Sequence, residues 1–394
     1  MSNGASEARP KVAPQVYDHI RLLLRAGKND EAIATSCALI IIRPDDLIAK
    51  ELLFDGFFQK HEWLPALVLA EDLAHRQPDV ARLQKSLIAT LSNMKRYDET
   101  ITQAYQYIVR YGEDLNMLDA LKVAYFYTGK IDDAVRYGQR GIELRDAEAC
   151  AHPPAAMAEP KRPPSGESVI SFSLWGKAPV YAYGAMINLV LSRTIYPDWT
   201  CRFYVAEDVP RQCISYLRDN GADVRNIDDE YPGVGSVQRF LVMNDRKVGR
   251  FLVRDCDARV SPEEARHVQD WIDSKRPFHV IRDHVLHNDL MLAGLWGGRT
   301  DCGIDIVDLM RRYFVSGTNA KYGEDQRMLG RMLWPLIRDH CLVHDKYFHL
   351  AGVQEVKIAD SKSHFGAGHR NIDAVLKEVD ALNIPRVLEA RAKR

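Results

Sequence analysis

Asp255-Cys256-Asp257, at the end of the apolar run Arg250 to Arg254, holds the side chains best suited to chemistry. On an extended backbone alternate residues share a face, so both carboxylates point one way and Cys256 the other. Neighbouring carboxylates repel unless a positive charge stands between them. A hard divalent cation, Mn²⁺ or Mg²⁺, takes oxygen ligands and bridges phosphate oxygens. A strand ending in this triplet therefore reads as a metal-diphosphate site. In a solvated turn the same triplet would be an ordinary surface feature.

Other residues offer related chemistry. Ser363 to Arg370 combines His364 and His369 with Gly366, Gly368 and Arg370. Glycines let the backbone approach a ligand, and a neutral imidazole can complete a metal shell. His279, His284 and His287 raise the alternative of a hydrolytic metal site, but their spacing is neither that of HExxH nor a plain i, i+4 helical pair. On a strand and its following loop these side chains are expected to diverge.

The elements around the triplet alternate. Val169–Leu174 reads as a strand, and a helix carrying Met186, Leu189 and Val190 follows. Cys201, Phe203 and Val205 mark a second strand, Pro210 to Asn220 a helix and Asp223 to Ile227 a third strand. A helix at Ser236 to Asn244 precedes the strand ending at Asp255. Pro262 to Ser274 reads as a further helix and Phe278 to Arg282 as another strand. Such alternation predicts an α/β domain with a mainly parallel sheet covered on both faces. Ligands bind beyond the carboxyl ends of strands in such sheets, where Asp255 and Asp257 fall.

The first third repeats. Ala32, Ala66, Thr100 and Ala134 stand 34 residues apart, and Pro44, Pro78, Gly112 and Asp146 keep the same interval. Each small residue closes a similar segment, as in Gly27-Lys-Asn-Asp-Glu-Ala32 and Gly129-Lys-Ile-Asp-Asp-Ala134. The pattern resembles the tetratricopeptide repeat and predicts four helix-turn-helix units near 13–46, 47–80, 81–114 and 115–148. Ser36 and Gly138 depart from it, at a position that is usually large and apolar. The groove of such a solenoid binds partners. Equally, the helices could form a dimer or buttress the second domain.

Residues 1–12 read as a disordered tail without a secretory h-region, and the Pro/Ala-rich stretch 149–167 as an extended linker. The α/β domain spans 168–372. Residues 373–394 read as an amphipathic helix that packs on its own domain or touches a membrane surface. Acidic and basic residues balance, 54 against 53, so nothing favours a nucleic-acid partner. Seven scattered cysteines fit a reduced cytoplasmic protein better than a disulfide framework. No apolar run is long enough to span a bilayer. The expected location is cytoplasmic, with peripheral contact at the inner membrane face as a variant.

Phe172-Ser173, Arg239, Asp255-Cys-Asp257 and Asp325-Gln326 together resemble the GT-A nucleotide-sugar glycosyltransferases. Arg254 to Arg259, Trp271, Phe278 to His284 and Gly294-Leu-Trp-Gly-Gly298 are similar to a bacterial surface-polysaccharide group of them. The resemblance covers roughly 169–370. It implies that Phe172 and Ser173 hold the nucleoside and that Arg239 reaches the donor's phosphate or sugar; by their own pattern Phe172 reads as a core residue and Arg239 equally as a surface position of its helix. Asp255 and Asp257 would hold Mn²⁺ or Mg²⁺, and Gly294 to Gly298, with Trp296, would pass the donor sugar and acceptor. Glycogenin-like transferases place a late His, followed by Gly, on the metal. His364 is the nearer match, although their Lys-Pro-Trp continuation is missing; His369 could serve instead, and Arg370 could bind the leaving diphosphate.

The implied function is metal-dependent transfer of a sugar from a nucleotide-sugar donor to a saccharide, lipid-linked or protein acceptor. The repeats would bind the acceptor, a partner or a second copy of the chain. An inverting enzyme needs a carboxylate base, for which Asp283 and Asp325 are the candidates; Asp325 could equally cap its helix. The alternative is a non-catalytic tetratricopeptide scaffold with a degenerate transferase domain.

Overall fold

The computed structural model describes residues 13–151, 157, 160, 162–226, 235–314, 323–359 and 364–388. The tail 1–12 and much of the expected linker lie outside them. The chain divides into two compact units, Met1–Gly138 and Gln139–Arg394, so the division falls inside the last repeat helix rather than after it.

In the first unit each 34-residue interval holds one helix pair. They are α1 (Pro14–Arg25) with α2 (Asn29–Ile42), α3 (Leu47–Gln59) with α4 (Trp63–Arg76), α5 (Ala81–Asn93) with α6 (Tyr97–Tyr111), and α7 (Leu115–Tyr127) with α8 (Ile131–Ala149). This is the tetratricopeptide-like solenoid that the spacing predicts. Ala32, Ala66, Thr100 and Ala134 are completely buried, which lets the helices approach closely. Ser36 and Gly138 are buried too, in place of larger apolar side chains. The turn inside each pair carries one left-handed residue: Gly27 (φ 71°), His61 (59°), Lys95 (60°) and Gly129 (78°). Only glycine is relaxed there, so His61 and Lys95 hold their turns against a local penalty.

The second unit alternates as expected at first. It runs β1 (Glu167–Leu174), α9 (Pro179–Ile195), β2 (Trp199–Val205), α10 (Arg211–Asp219) and β3 (Asp223–Asn226). A 3-10 segment, Gly235–Asn244, leads into β4 (Val248–Val253), followed by α11 (Pro262–Ser274) and β5 (Phe278–Arg282). Then come β6 (Trp296–Arg299), α12 (Ile306–Phe314), α13 (Glu324–Met328), α14 (Trp334–Ile337), β7 (Cys341–Asp345), β8 (Gln354–Lys357) and α15 (Ile372–Ala381). The strand order is β3-β2-β1-β4-β6-β5-β7-β8. All neighbours are parallel except β6, which runs antiparallel to both β4 and β5.

The run β3-β2-β1-β4 reverses direction between β1 and β4, the kind of switch point where doubly wound sheets bind ligands. β1 shows how its sequence positions the site. Ile170, Phe172 and Leu174 enter the core shared with α9. On the other face Ser171 Oγ donates to Arg239 O (2.7 Å), and Arg239 N donates to Ser173 Oγ (2.8 Å). The strand thus fixes the 3-10 segment through its polar alternates.

The C-terminal helix is shorter than expected. α15 ends at Ala381, Asn383 takes a left-handed φ of 53°, and Pro385 bars continuation. Its apolar residues Val375, Leu376 and Val379 lie in the core beneath α9, so that face is used within the unit rather than offered to a membrane. Among the described residues no helix is long and apolar enough to cross a bilayer.

Candidate active site at the end of β4

The Asp-Cys-Asp loop leaves β4 under tight control from α9. Asn188, buried in that helix, donates through Nδ2 to Cys256 O (3.2 Å) and Ala258 O (2.8 Å), and its Oδ1 accepts from Val260 N (3.1 Å). Cys256 turns into the core and donates to Ser173 O (3.3 Å), while Asp255 and Asp257 stay partly exposed. The alternation expected of the triplet therefore holds. Just before it, Arg254 forms a buried pair with Glu264 (2.7 Å) and donates to Trp296 O (3.0 Å), tying β4 to α11 and β6. Asn188 and Glu264 escaped the sequence reading, and Arg254 entered it only as part of a motif, without this role. A lone Asn among Met186, Ile187, Leu189 and Val190 was the available signal.

Arg239 stands between two carboxylates. Its guanidinium pairs with Asp255 and, at 3.3 Å, with Asp325 at the start of α13. Burial pushes the Arg239 pKa down, but Asp255 and Asp325 outweigh it and hold the cation above its ordinary value. With a side chain only 2% exposed, Arg239 is a buried organiser, whereas Asp255 keeps 39% of its side chain open. Asp325 also accepts from Gln326 N (3.0 Å), so both its oxygens are engaged. Free action as a base is not what this arrangement offers.

Asp257 is different. No ion pair among the described residues involves it, although it is half-buried. Burial raises its carboxyl pKa, and the charge of Asp255 raises it further; its own backbone N–H, Arg370 and Arg239 act the other way. A carboxylate whose nearby cations do not offset its burial and a second carboxylate is in the condition a divalent cation relieves. Asp255 and Asp257 thus fit such an ion by donor chemistry and charge. Gly294 packs against Asp255, where a Cβ would collide with Oδ2. Gly368 lies beside Asp257, with Arg370 next to it.

Several expected ligands stand elsewhere. Phe172 is fully buried and stacks on Phe203, centroids 4.8 Å apart, so it cannot meet a nucleoside. Trp296 is fully buried between Phe240 and Phe251 and serves the core of the sheet. The exposed aromatic ring at the end of β1 is Trp175, 45% exposed and resting on Gly235. The imidazole of His369 is turned to Glu378 (3.0 Å), which also accepts from Arg259, and only its backbone N–H meets the loop, at Asp257 O (2.8 Å).

His364 belongs to a second cluster with Asp283. Asp283 accepts from His287 Nδ1 (3.0 Å) and from Phe365 N (2.5 Å). Burial alone would raise its carboxyl pKa, yet these partners hold it below the usual range. A buried carboxylate with both oxygens engaged is a poor general base. Far from diverging, His284 and His287 converge with His364: ring centroids are 4.2 Å apart for His284–His364 and 4.7 Å for His287–His364. His279 leaves them, stacking on Trp271.

No protein-family profile matches the sequence, and no curated protein matches it. Among solved structures the chain is similar to MamA from Desulfovibrio magneticus RS-1 (15% identity over 34% of this chain and 75% of that one, TM-score 0.32). It is also similar to MamA AMB-1 (17% identity, 34% and 78%, TM-score 0.32). A mutant O-GlcNAc transferase of Thermobaculum terrenum is similar at 12% identity over 61% of this chain and 45% of that one, with a TM-score of 0.39. These likenesses are slight; the fold described above rests on the helices and strands themselves.

Proposed function

We propose that this chain is a metal-dependent glycosyltransferase of the GT-A kind, moving a sugar from a nucleotide-sugar donor to a saccharide, lipid-linked or protein acceptor. One observation carries the reading: half-buried Asp257, in no ion pair among the described residues and with its carboxyl pKa raised by burial and by Asp255, stands beside Asp255 at the switch point of a doubly wound sheet. Mn²⁺ or Mg²⁺ held by Asp255 and Asp257 would neutralise the diphosphate as it departs. Arg370, beside Asp257, adds positive charge on the leaving-group side. Arg239 keeps Asp255 in place and is itself held by Asp325. Trp175 offers the exposed face on which a nucleobase can stack, in the place first given to Phe172.

The repeat unit supplies the acceptor or partner surface in this reading. Between α4, α5 and α6 it carries a groove of about 520 Å³ lined by His75, Gln84, Gln103, Tyr107 and Arg110. Such polar and aromatic side chains suit hydrogen bonding to a peptide or saccharide. A screen of UDP-, GDP-, CMP- and dTDP-sugars, with and without Mn²⁺, tests the proposal. Hydrolysis or metal-dependent protection from melting by one donor supports it, and no response to any donor opposes it.

The ion pair from Arg239 to Asp255 favours a second reading, the non-catalytic scaffold. If a cation cannot draw Asp255 from Arg239, the α/β unit binds no donor and the repeats alone carry the function.

A further inference from the structure

Asp283, His287 and His364 lie with their ligand atoms within 4.8 Å of one another. Asp283 is buried at the end of β5 and accepts from His287 Nδ1 at 3.0 Å and from Phe365 N at 2.5 Å. The carboxylate therefore places the His287 proton on Nδ1 and leaves the Nε2 lone pair outward. That Nε2 stands 3.2 Å from His364 Nε2. Two nitrogens on one tetrahedral ion, with bonds of about 2.0–2.1 Å, stand about 3.3–3.4 Å apart. His284 lies nearly parallel to the His364 ring (11°), and its Nδ1 accepts from Leu286 N (3.2 Å), so the ring it supports is held in orientation. His364 is exposed, which leaves space for water or an external ligand.

We infer that His287 and His364, oriented by Asp283, bind a transition-metal dication of the Zn²⁺ class at a site separate from Asp255 and Asp257. Imidazole pairs select Zn²⁺ and its neighbours, whereas carboxylate pairs suit Mn²⁺ and Mg²⁺. A carboxylate that fixes the far nitrogen of a ligating histidine is the usual outer support of such a site. The bound ion ties the loop beginning at His364 to the end of β5. That loop brings Gly368 and Arg370 beside Asp257, so occupancy stiffens one wall of the carboxylate site. The inference stands without glycosyl transfer, because binding is read with no donor present.

The test uses the full chain, stripped with a chelator and titrated with Zn²⁺, then with Co²⁺ as a spectroscopic reporter. Wild type is expected to bind Zn²⁺ and to give the visible bands of nitrogen-ligated, tetrahedral Co²⁺. His287→Ala and His364→Ala should each weaken Zn²⁺ by about 100-fold and lose those bands, and Asp283→Asn by about 10–100-fold. Asp255→Asn should leave Zn²⁺ affinity unchanged. Because His364 is exposed, metal-free His364→Ala should melt like wild type, which separates a lost ligand from misfolding. The inference is overturned if wild type binds no Zn²⁺, or if both histidine variants bind it as tightly as wild type. It is equally overturned if His267→Ala, in the His267–Asp270–His344 group, removes the ion instead. Failure of the glycosyltransferase reading would show separately, as loss of Mn²⁺-dependent nucleotide binding with Zn²⁺ binding intact.

Discussion

Gly294 and Asp255 adjoin with no room between them: a methyl group on residue 294 would fall on the Oδ2 of the carboxylate. Since Asp255 is also held by Arg239, it has no unhindered direction in which to yield. Gly294→Ala should therefore displace the carboxylate. Forcing extra carbon into such a contact costs about 1–3 kcal/mol. We expect Mn²⁺ affinity, read by calorimetry, to drop by about tenfold or more while the melting transition remains cooperative. Wild-type affinity in this variant would mean that Asp255 plays no part in metal binding.

Trp175 is the exposed ring at the end of β1, and stacking on a base is worth about 1–3 kcal/mol. Trp175→Ala should thus weaken binding of whichever nucleoside diphosphate the donor screen identifies by about 10–100-fold. Phe172→Leu, in the core, should instead lower stability and leave that affinity near wild type.

Acid should destabilise the α/β unit through its buried imidazoles. Burial holds His344 at a pKa of about 4, with the charge of His267 adding to the effect and Asp270 opposing it. Burial likewise holds His279 well below its ordinary value, with His344, Arg254 and His267 adding to it. Both are neutral when folded and take up protons more readily when unfolded. Stability is therefore full above about pH 6.5 and falls as pH drops towards 4. Denaturant midpoints measured across that window should show the decline, and His344→Gln should flatten it.

The left-handed turn of each repeat makes a stability prediction. Lys95→Gly should relieve the strain at φ 60° and raise the stability of the repeat unit by up to about 1 kcal/mol. Gly27→Ala should lower it by about 1–2 kcal/mol. Chemical denaturation checks both. Opposite signs would show that these turns do not govern the helix pairs.

The period of 34 was legible because each repeat is built from local contacts, and small residues at fixed spacing mark where helices meet. The first half of the sheet was legible for a similar reason, since its strands alternate regularly with helices. β6 was not: Trp296-Gly-Gly-Arg299 has little strand propensity, and only its partners β4 and β5 make it a strand. The triplet Asp255-Cys-Asp257 marks a candidate site in the sequence because its residues are contiguous. His364 could not be assigned the same way. Its partners His287 and Asp283 lie about eighty residues earlier in the chain, and their convergence depends on how the loop returns to β5. Phe172 was legible as core, because it shares the core-facing alternation of Ile170 and Leu174; only the resemblance gave it a nucleoside.

The central claim is that Asp257 and Asp255 share a divalent cation that holds a nucleoside diphosphate. The most direct measurement is Mn²⁺-dependent binding of the nucleoside diphosphates UDP and GDP to wild type and to Asp257→Asn, followed by calorimetry from neutral pH downward. One of these ligands should bind wild type only with Mn²⁺. Its affinity should weaken as acid protonates Asp257, whose carboxyl is held above its ordinary pKa, and Asp257→Asn should abolish the Mn²⁺ dependence. Binding that ignores Mn²⁺, or that survives unchanged in Asp257→Asn, would contradict the account.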